Sequence, residues 1–305
     1  MANNARINRG SLPRALQYGL DKILDQMGKD YKGMGDRIFT EVMTDKAYYE
    51  MMQMAGMGIA ARKNEGDSIT WDSIDQTWVF RVPVYTYEKS ARITKEMIAD
   101  NVYEDLLPRI AKEQLKALAH ARDINQASIL NNGFSTSYKY GDQKELFSTS
   151  HPTQAGPTNS NRLAVDADLS EDALENSVIL IDNFVNDDGL KSDYSAKRLI
   201  VPTQLRFEAK RILRNPNRPA TADRDISVLN MEGDISEILV WKRLSDADAF
   251  FVQTDAENGL MTIRRKGIET SSMQDFETYD TKLTASERYA NSVGDHRCVV
   301  GTPGA

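Results

Sequence analysis

The spacing of apolar residues along this chain changes period several times, and each change marks a new element. Leu16, Leu20, Ile23, Leu24 and Met27 follow Pro13 mostly at steps of three and four, which predicts a short amphipathic helix closed by Gly28 within an extended N-terminal arm over residues 1–60. A thioether-rich run follows, Met43, Met51, Met52, Met54 and Met57, whose unbranched side chains adapt equally to a core or to a partner chain. The backbone over 47–54 reads as helix or irregular arm. Aromatic and β-branched residues then dominate Asp67–Trp71 and Thr77–Tyr87, two strands that polar residues 72–76 join into a long hairpin. A lone hairpin is marginal in water, so this one must lie on another surface. Trp71, Trp78 and Tyr85 are its natural anchors, with Met51 and Met54 as contacts of the arm.

From Thr94 the period becomes helical, through Met97, Ile98, Val102, Leu106, Ile110, Leu115, Leu118, Ala121 and Ile124. With Pro108 in its first turn, the main helix is expected to run to about Leu130, roughly 35 Å, where Asn131-Asn132-Gly133 stops it. Lys112, Glu113, Lys116, Arg122 and Asp123 read as its solvated face. A long polar loop fills 134–168, a length usual for functional or contact-making segments. Ser170 then caps a helix with Ala173, Leu174, Val178, Ile181 and Val185 on its apolar face, ended by Asp187-Asp188-Gly189. Arg198–Val201 is a short buried strand before Pro202, and Leu205–Leu213 an amphipathic helix closed by Asn215-Pro216. Strands are expected at Ile235–Trp241, Ala249–Thr254 and Leu260–Arg264. No 20–50-residue period repeats.

Composition narrows the class. The 305 residues are 40% hydrophobic and 27% charged, as in folded globular chains. The net charge of −7 argues against a protein built to grip nucleic-acid phosphates. The single cysteine, Cys298, excludes an intrachain disulfide and any multi-cysteine zinc site. The polar, basic first residues lack the apolar stretch of an export signal. No apolar run is long enough to span a bilayer.

Catalytic patterns are sparse. His120, His151 and His296 lie far apart in sequence, so a metal site is not expected. His296 and Cys298, two apart, share one face if they stand in a strand, which leaves a thiolate enzyme as the reading from a different class. Gly56-Met57-Gly58-Ile59-Ala60-Ala61 matches a phosphate-binding fingerprint but lacks the strand before it and the helix after it. Asp246 to Glu257 has calcium-loop spacing but Phe251 in place of the required glycine. Arg206, Lys210, Arg211 and Arg214 read as a solvated helix face, with DNA or neighbouring carboxylates as the alternative partner.

Several fragments in order carry a family resemblance. Ile93-Thr94-Lys95-Glu96-Met97 leads into the long helix ending Ile129-Leu130-Asn131-Asn132-Gly133. Leu146-Phe147-Ser148-Thr149-Ser150-His151-Pro152 forms a loop, and Arg198-Leu199-Ile200-Val201-Pro202-Thr203-Gln204-Leu205 leads into the next helix. Asn230-Met231-Glu232-Gly233-Asp234 precedes strands, and Ser286-Glu287-Arg288-Tyr289-Ala290 runs toward Val299-Val300-Gly301. Over roughly residues 60–303 the chain resembles the major capsid proteins of tailed bacteriophages, the Johnson fold. The resemblance implies an α+β chain: an N-terminal arm (1–60), an extended hairpin loop overlapping a neighbour (61–94), a peripheral domain with the long spine helix (95–164 and 256–305) and an axial α/β domain (165–255). It implies a non-enzymatic shell protein without cofactor or metal, assembled in the host cytoplasm as hexamers and pentamers into the virion's icosahedral head. Portal protein, packaged double-stranded DNA held without sequence-specific binding, and decoration proteins are the implied partners, with no membrane. No long charged helical segment precedes the arm, so a scaffolding protein is expected as a separate chain. The nearest alternative is an encapsulin-like nanocompartment, whose cargo groove would involve the amphipathic residues 12–27.

Overall fold

Hydrophobic alternation around residues 76–93 produces two successive strands, not one, because the chain changes sheets at the buried Val84. The computed structural model describes residues 33–54, 58–60, 62–66, 68, 69, 71, 76–99, 103–153, 156–215, 229, 233–256 and 258–305. Among these, a 3-10 turn at Gly35–Arg37 leads to β1 (Thr40–Met43), β2 (Tyr48–Met54), β3 (Gln76–Pro83) and β4 (Tyr85–Ile93). Then come α1 (Lys95–Ala99), α2 (Tyr103–Asn131), β5 (His151–Pro152), β6 (Thr158–Asn159), α3 (Glu171–Asp182), β7 (Ala196–Val201) and α4 (Arg206–Arg214). The chain closes with β8 (Glu237–Val240), β9 (Phe250–Thr254), β10 (Leu260–Gln274), β11 (Thr281–Val293), a 3-10 turn at His296–Cys298 and β12 (Val299–Thr302). The expected helix over 12–27 and Met57 lie outside the described residues.

Two four-stranded sheets organise these elements, in the orders β1-β10-β11-β4 and β12-β9-β7-β8. The first is dominated by β10 and β11, a long antiparallel pair from Leu260↔Val293 to Gln274↔Thr281, with β4 antiparallel to β11 and β1 parallel to β10. The helix α2 packs on it: Ala111 joins Ile93 and Leu283 in one small core, and Gln114 Nε2 donates to the carbonyls of Lys89 and Leu283 at 3.2 and 3.0 Å. In the second sheet β7 is the parallel neighbour of β8 and the antiparallel neighbour of β9. There α3 and α4 bury Leu174, Ile181, Ala209, Ile212 and Leu213 against Leu199, Val201, Phe250 and Val252. A further core, including Phe39, Leu130, Phe147, Phe251, Trp241 and Val299, joins the end of α2 to the edge of the second sheet.

Several sequence expectations meet their physical answer here. Ser170 caps α3, its hydroxyl accepting from the Ala173 N–H at 3.2 Å, but the helix ends at Asp182, and Val185 leaves it to bridge Lys191. α2 stops at Asn131 as expected, but it begins at Tyr103 and is 29 residues long, about 44 Å. Pro108 is thus its sixth residue, where the missing N–H forgoes one ladder bond to the Glu104 carbonyl. Residues 48–54, expected as helix or irregular arm, are strand β2, and β2 rather than Asp67–Trp71 is the partner of β3, in register Tyr48↔Pro83 to Met54↔Gln76. Ser68, Ile69 and Trp71 are in no strand. The partner exchange is fixed where the Val84 N–H donates to the Ala47 carbonyl at 3.0 Å. Cys298 and His296 stand in a 3-10 turn, not in a strand, so alternation does not place them on one face.

Candidate functional site

The β2–β3 pair rests on its own chain. Val82, Val84, Ile263 and Ala290 form a buried cluster against which Tyr49, Met51 and Phe80 pack, and Gln53 Nε2 donates to the Asp187 carboxylate at 3.0 Å. Of the anchor residues read from sequence, Met51 is therefore half-buried within the subunit, and Trp78 is half-buried with its Cβ beside Gly141. Trp71 is 88% exposed and Tyr85 58% exposed. Met54 stands opposite Gln76 in the ladder, and its side chain lies outside the described set. At the opposite end of the first sheet, the end of β10 exposes Met273 and the turn into β11 exposes Phe276. Exposed side chains of this size are candidates for contact with other subunits, and Trp71, Tyr85, Met273 and Phe276 are the candidate assembly surface of the subunit.

A buried ionic lock fixes the elements that carry those surfaces. Arg122 of α2 donates from Nη1 to both Glu287 oxygens at 3.0 and 2.9 Å, and from Nε and Nη2 to the Asp36 carboxylate at 3.1 and 3.0 Å. Its neighbour Asp123 accepts from the Gly35 N–H at 3.1 Å, from Trp241 Nε1 at 2.9 Å and from Arg243 Nε at 3.2 Å. Arg122 and Asp123, read from sequence as solvated, are thus the hub joining the 33–39 segment, the spine helix and both sheets. The expectation fails because the partners that compensate the charge lie 86 to 165 residues away. Lys112, Glu113 and Lys116 do keep the outer face, Lys116 Nζ pairing with Glu113 at 2.7 Å.

The polar loop after α2 is pinned from within. Phe147 is buried in a stack with Phe134 and Phe251, at centroid distances of 4.6 and 5.3 Å. Asn161 donates from Nδ2 to the carbonyls of Leu146, His296 and Val299, and its Oδ1 accepts from the Ser148 N–H at 3.0 Å. That oxygen also meets His151 Nε2 at 3.0 Å, while His151 Nδ1 lies 2.5 Å from the Asp142 carboxylate. The His296 ring stacks on that of His151, centroids 4.0 Å apart. Two histidines whose sequence positions gave no hint of contact are thus brought together because the loop and the C-terminal turn share Asn161. Burial, reinforced by His151, pushes His296 down to about 3. Burial pushes the Cys298 thiol up, the direction opposite to an activated thiolate, and the residue sits in the apolar core with Leu260 and Val299. His120 is exposed on α2, its Nδ1 2.9 Å from Arg243 Nη2. Arg206, Lys210, Arg211 and Arg214 are all exposed along α4. In the calcium-like stretch, Asp246 accepts from the Asp248 N–H in a local turn, and Glu257, like Gly56 and Ala61 of the fingerprint, lies outside the described residues.

Comparison with known proteins agrees with this architecture. The family model described as phage capsid protein matches residues 79–301, well over half of the chain. A search of curated protein sequences gives no match. Among solved structures, the capsid of cyanophage P-SCSP1u is similar at 12% identity with a TM-score of 0.57, over 88% of this chain and 86% of that one. A virus-like particle from Pyrococcus furiosus is similar at 11% identity and 0.55, over 93% and 97%. An encapsulin complex from Synechococcus elongatus is similar at 9% and 0.52, over 87% and 85%. At such identities the likeness to these structures concerns the fold alone, but the family match spans the spine helix, all of the two four-stranded sheets but β1 and the last residue of β12, and the C-terminal turn, and this chain therefore belongs to the phage capsid protein family, as a shell-forming subunit with the Johnson-type α+β fold.

Proposed function

We propose that the shell built from this subunit is the head of a tailed bacteriophage, closed around a double-stranded DNA genome. The observation that carries this reading is the match of residues 79–301 to a phage capsid family, set against a likeness to the encapsulin at the level of fold only. The net charge of −7 suits a container that encloses DNA without clamping it, since non-specific affinity grows with the number of phosphates neutralised. Subunits assemble as hexamers and pentamers in the host cytoplasm, with a portal protein at one vertex, a separate scaffolding protein and decoration proteins as further partners. We assign the sheet β1-β10-β11-β4 with α2 to the peripheral domain and the sheet β12-β9-β7-β8 with α3 and α4 to the axial domain, so that, against the bounds the resemblance implied, β1 and β4 join the peripheral domain and β12 the axial one, while Trp71, between β2 and β3, reaches a neighbour. Contacts of this kind are heterologous, the class that closes into rings and shells.

The test has two readouts. Full-length protein is expressed with and without the candidate scaffold and examined by size exclusion and negative-stain microscopy; closed shells or capsomer rings are expected, and a monomer under all conditions would overturn the reading. Particles recovered from the cells that naturally produce the chain are then treated with nuclease. Protected double-stranded DNA is expected, and a protein cargo without DNA would make the particle a nanocompartment.

A further inference from the structure

The shell reading leaves one cluster unused, with His151 buried and Asp142 and His296 half-buried. Asp142, His151 and His296 present a carboxylate oxygen and two ring nitrogens that all lie within 4.8 Å of one another. They line a cavity of about 20 Å³ together with Gln53, Tyr140 and Glu145, room for one water-sized species.

The surrounding hydrogen bonds fix what each atom offers. Asn161 gives its amide hydrogens to three carbonyls, so its Oδ1 can only accept, and His151 Nε2, 3.0 Å away, must carry a proton and donate. The His151 Nδ1 lone pair then faces the Asp142 carboxylate at 2.5 Å, and two acceptors meeting this closely require a cation between or beside them. A proton on Nδ1 satisfies that pair but leaves His296 Nε2, a buried ring nitrogen with no hydrogen-bond partner. A metal ion satisfies all three atoms.

We propose that Asp142, His151 Nδ1 and His296 Nε2 bind a single divalent transition-metal ion of the zinc class, with water as its fourth ligand. One carboxylate and two imidazoles are the donor set this class prefers. The outer contacts are those of a built site: Asn161 orients His151, the Lys144 N–H holds the other Asp142 oxygen at 3.1 Å, and the Asp295 carboxylate stands 3.8 Å from His296 Nδ1. In the stacked arrangement, with 11° between the rings, the in-plane lone pairs run parallel, so coordination requires one ring to turn. His151 is pinned at both nitrogens, whereas His296 is held through its ring only by stacking and the 3.8 Å approach to Asp295, so His296 is the ring that turns. Tetrahedral ligands about 2.0–2.1 Å from an ion stand about 3.3 Å apart, which asks Asp142 to draw back from His151 by about 0.8 Å. The ion would tie the polar loop to the turn before β12.

The experiment uses the full-length chain stripped with EDTA and titrated with cobalt(II), followed by competition with zinc. One cobalt per chain with visible d–d absorption, displaced by one zinc, is expected, together with a rise in melting temperature on adding zinc. H296Q should weaken binding by about tenfold or more and lose the melting shift, while H120Q, on the exposed helix surface, should bind like wild type. If circular dichroism shows H296Q unfolded, D142N serves as the ligand variant. Failure of the wild-type chain to take up cobalt or zinc, or equal binding by wild type and the folded ligand variant, would overturn the site. Shell formation is not read, so the result is independent of the capsid function.

Discussion

Arg122 of the spine helix and Glu287 of β11 face each other in the interior, both Glu287 oxygens accepting from Nη1 at 3.0 and 2.9 Å. Removing one member of such a pair strands the other charge, whereas replacing both by apolar groups of similar volume is often neutral. R122M should therefore destabilise the subunit by about 3–5 kcal/mol, and R122M/E287L should recover only the part due to Glu287, because Asp36 then keeps just its bonds from the Gly33 N–H and Gln126 Nε2. Urea unfolding of the single and double variants checks the prediction; additive losses would show that the pair is not coupled.

The proposed role of Trp71 lies outside the subunit. At 88% exposure W71A should change subunit stability by no more than about 0.5 kcal/mol while lowering the yield of assembled shells. Melting curves and sedimentation of assembly reactions separate the two effects. Shells formed as readily as by wild type would remove Trp71 from the contact.

Asp187 connects β2 to the loop after α3 through Gln53, and it is buried there. Burial pushes its carboxyl up, against the opposing pull of Arg297 and the Gln53 hydrogen bond. A carboxyl raised in the folded state binds its proton more tightly than in the unfolded chain, so its ionisation lowers stability as pH rises through that folded value. D187N keeps an acceptor for Gln53 and should melt higher than wild type at pH 7, with the gap closing below the ordinary carboxylate range. A lower melting temperature for D187N at pH 7 would refute this.

Gly301 lies in β12 opposite Phe251. A Cβ there would come within 2.7 Å of Phe147 and 2.8 Å of Phe251, inside the aromatic stack that anchors the polar loop. G301A should cost about 1–3 kcal/mol by overpacking. Denaturant midpoints read the loss directly, and an unchanged midpoint would mean that the stack yields freely.

What the sequence made legible is local. Ser170, Asn131-Asn132-Gly133 and the run Arg198–Val201 announce a cap, a stop and a strand through interactions with near neighbours. β11 escaped notice because its inward face is Thr281, Leu283, Ala285, Glu287 and Tyr289, mostly polar or small, so the alternation of burial is not an alternation of hydrophobicity. The partner of β3 was misplaced because strand pairing is decided across the chain, here by β2 and the Val84 switch, and composition within one strand does not name its neighbour. The candidate site was hidden for the same reason: Asp142 meets His151 directly, and His151 meets His296 through a ring stack that the bonds of Asn161 support from 135 residues away in sequence.

The change of sheets at Val84 also has a mechanical side. Along the chain, a pull delivered to β3 passes through Val84 into β4, whose nine residues from Tyr85 to Ile93 pair along β11, beside the packing of the β2–β3 pair on Ile263 and Ala290. A load running along that strand bears on all the rungs at once, in shear, instead of peeling them apart in turn. Failure under tension is governed by the rate of crossing a barrier, and a ladder loaded in parallel presents a higher one, so the link between the β2–β3 pair and the spine sheet is set to resist tension drawn through the subunit.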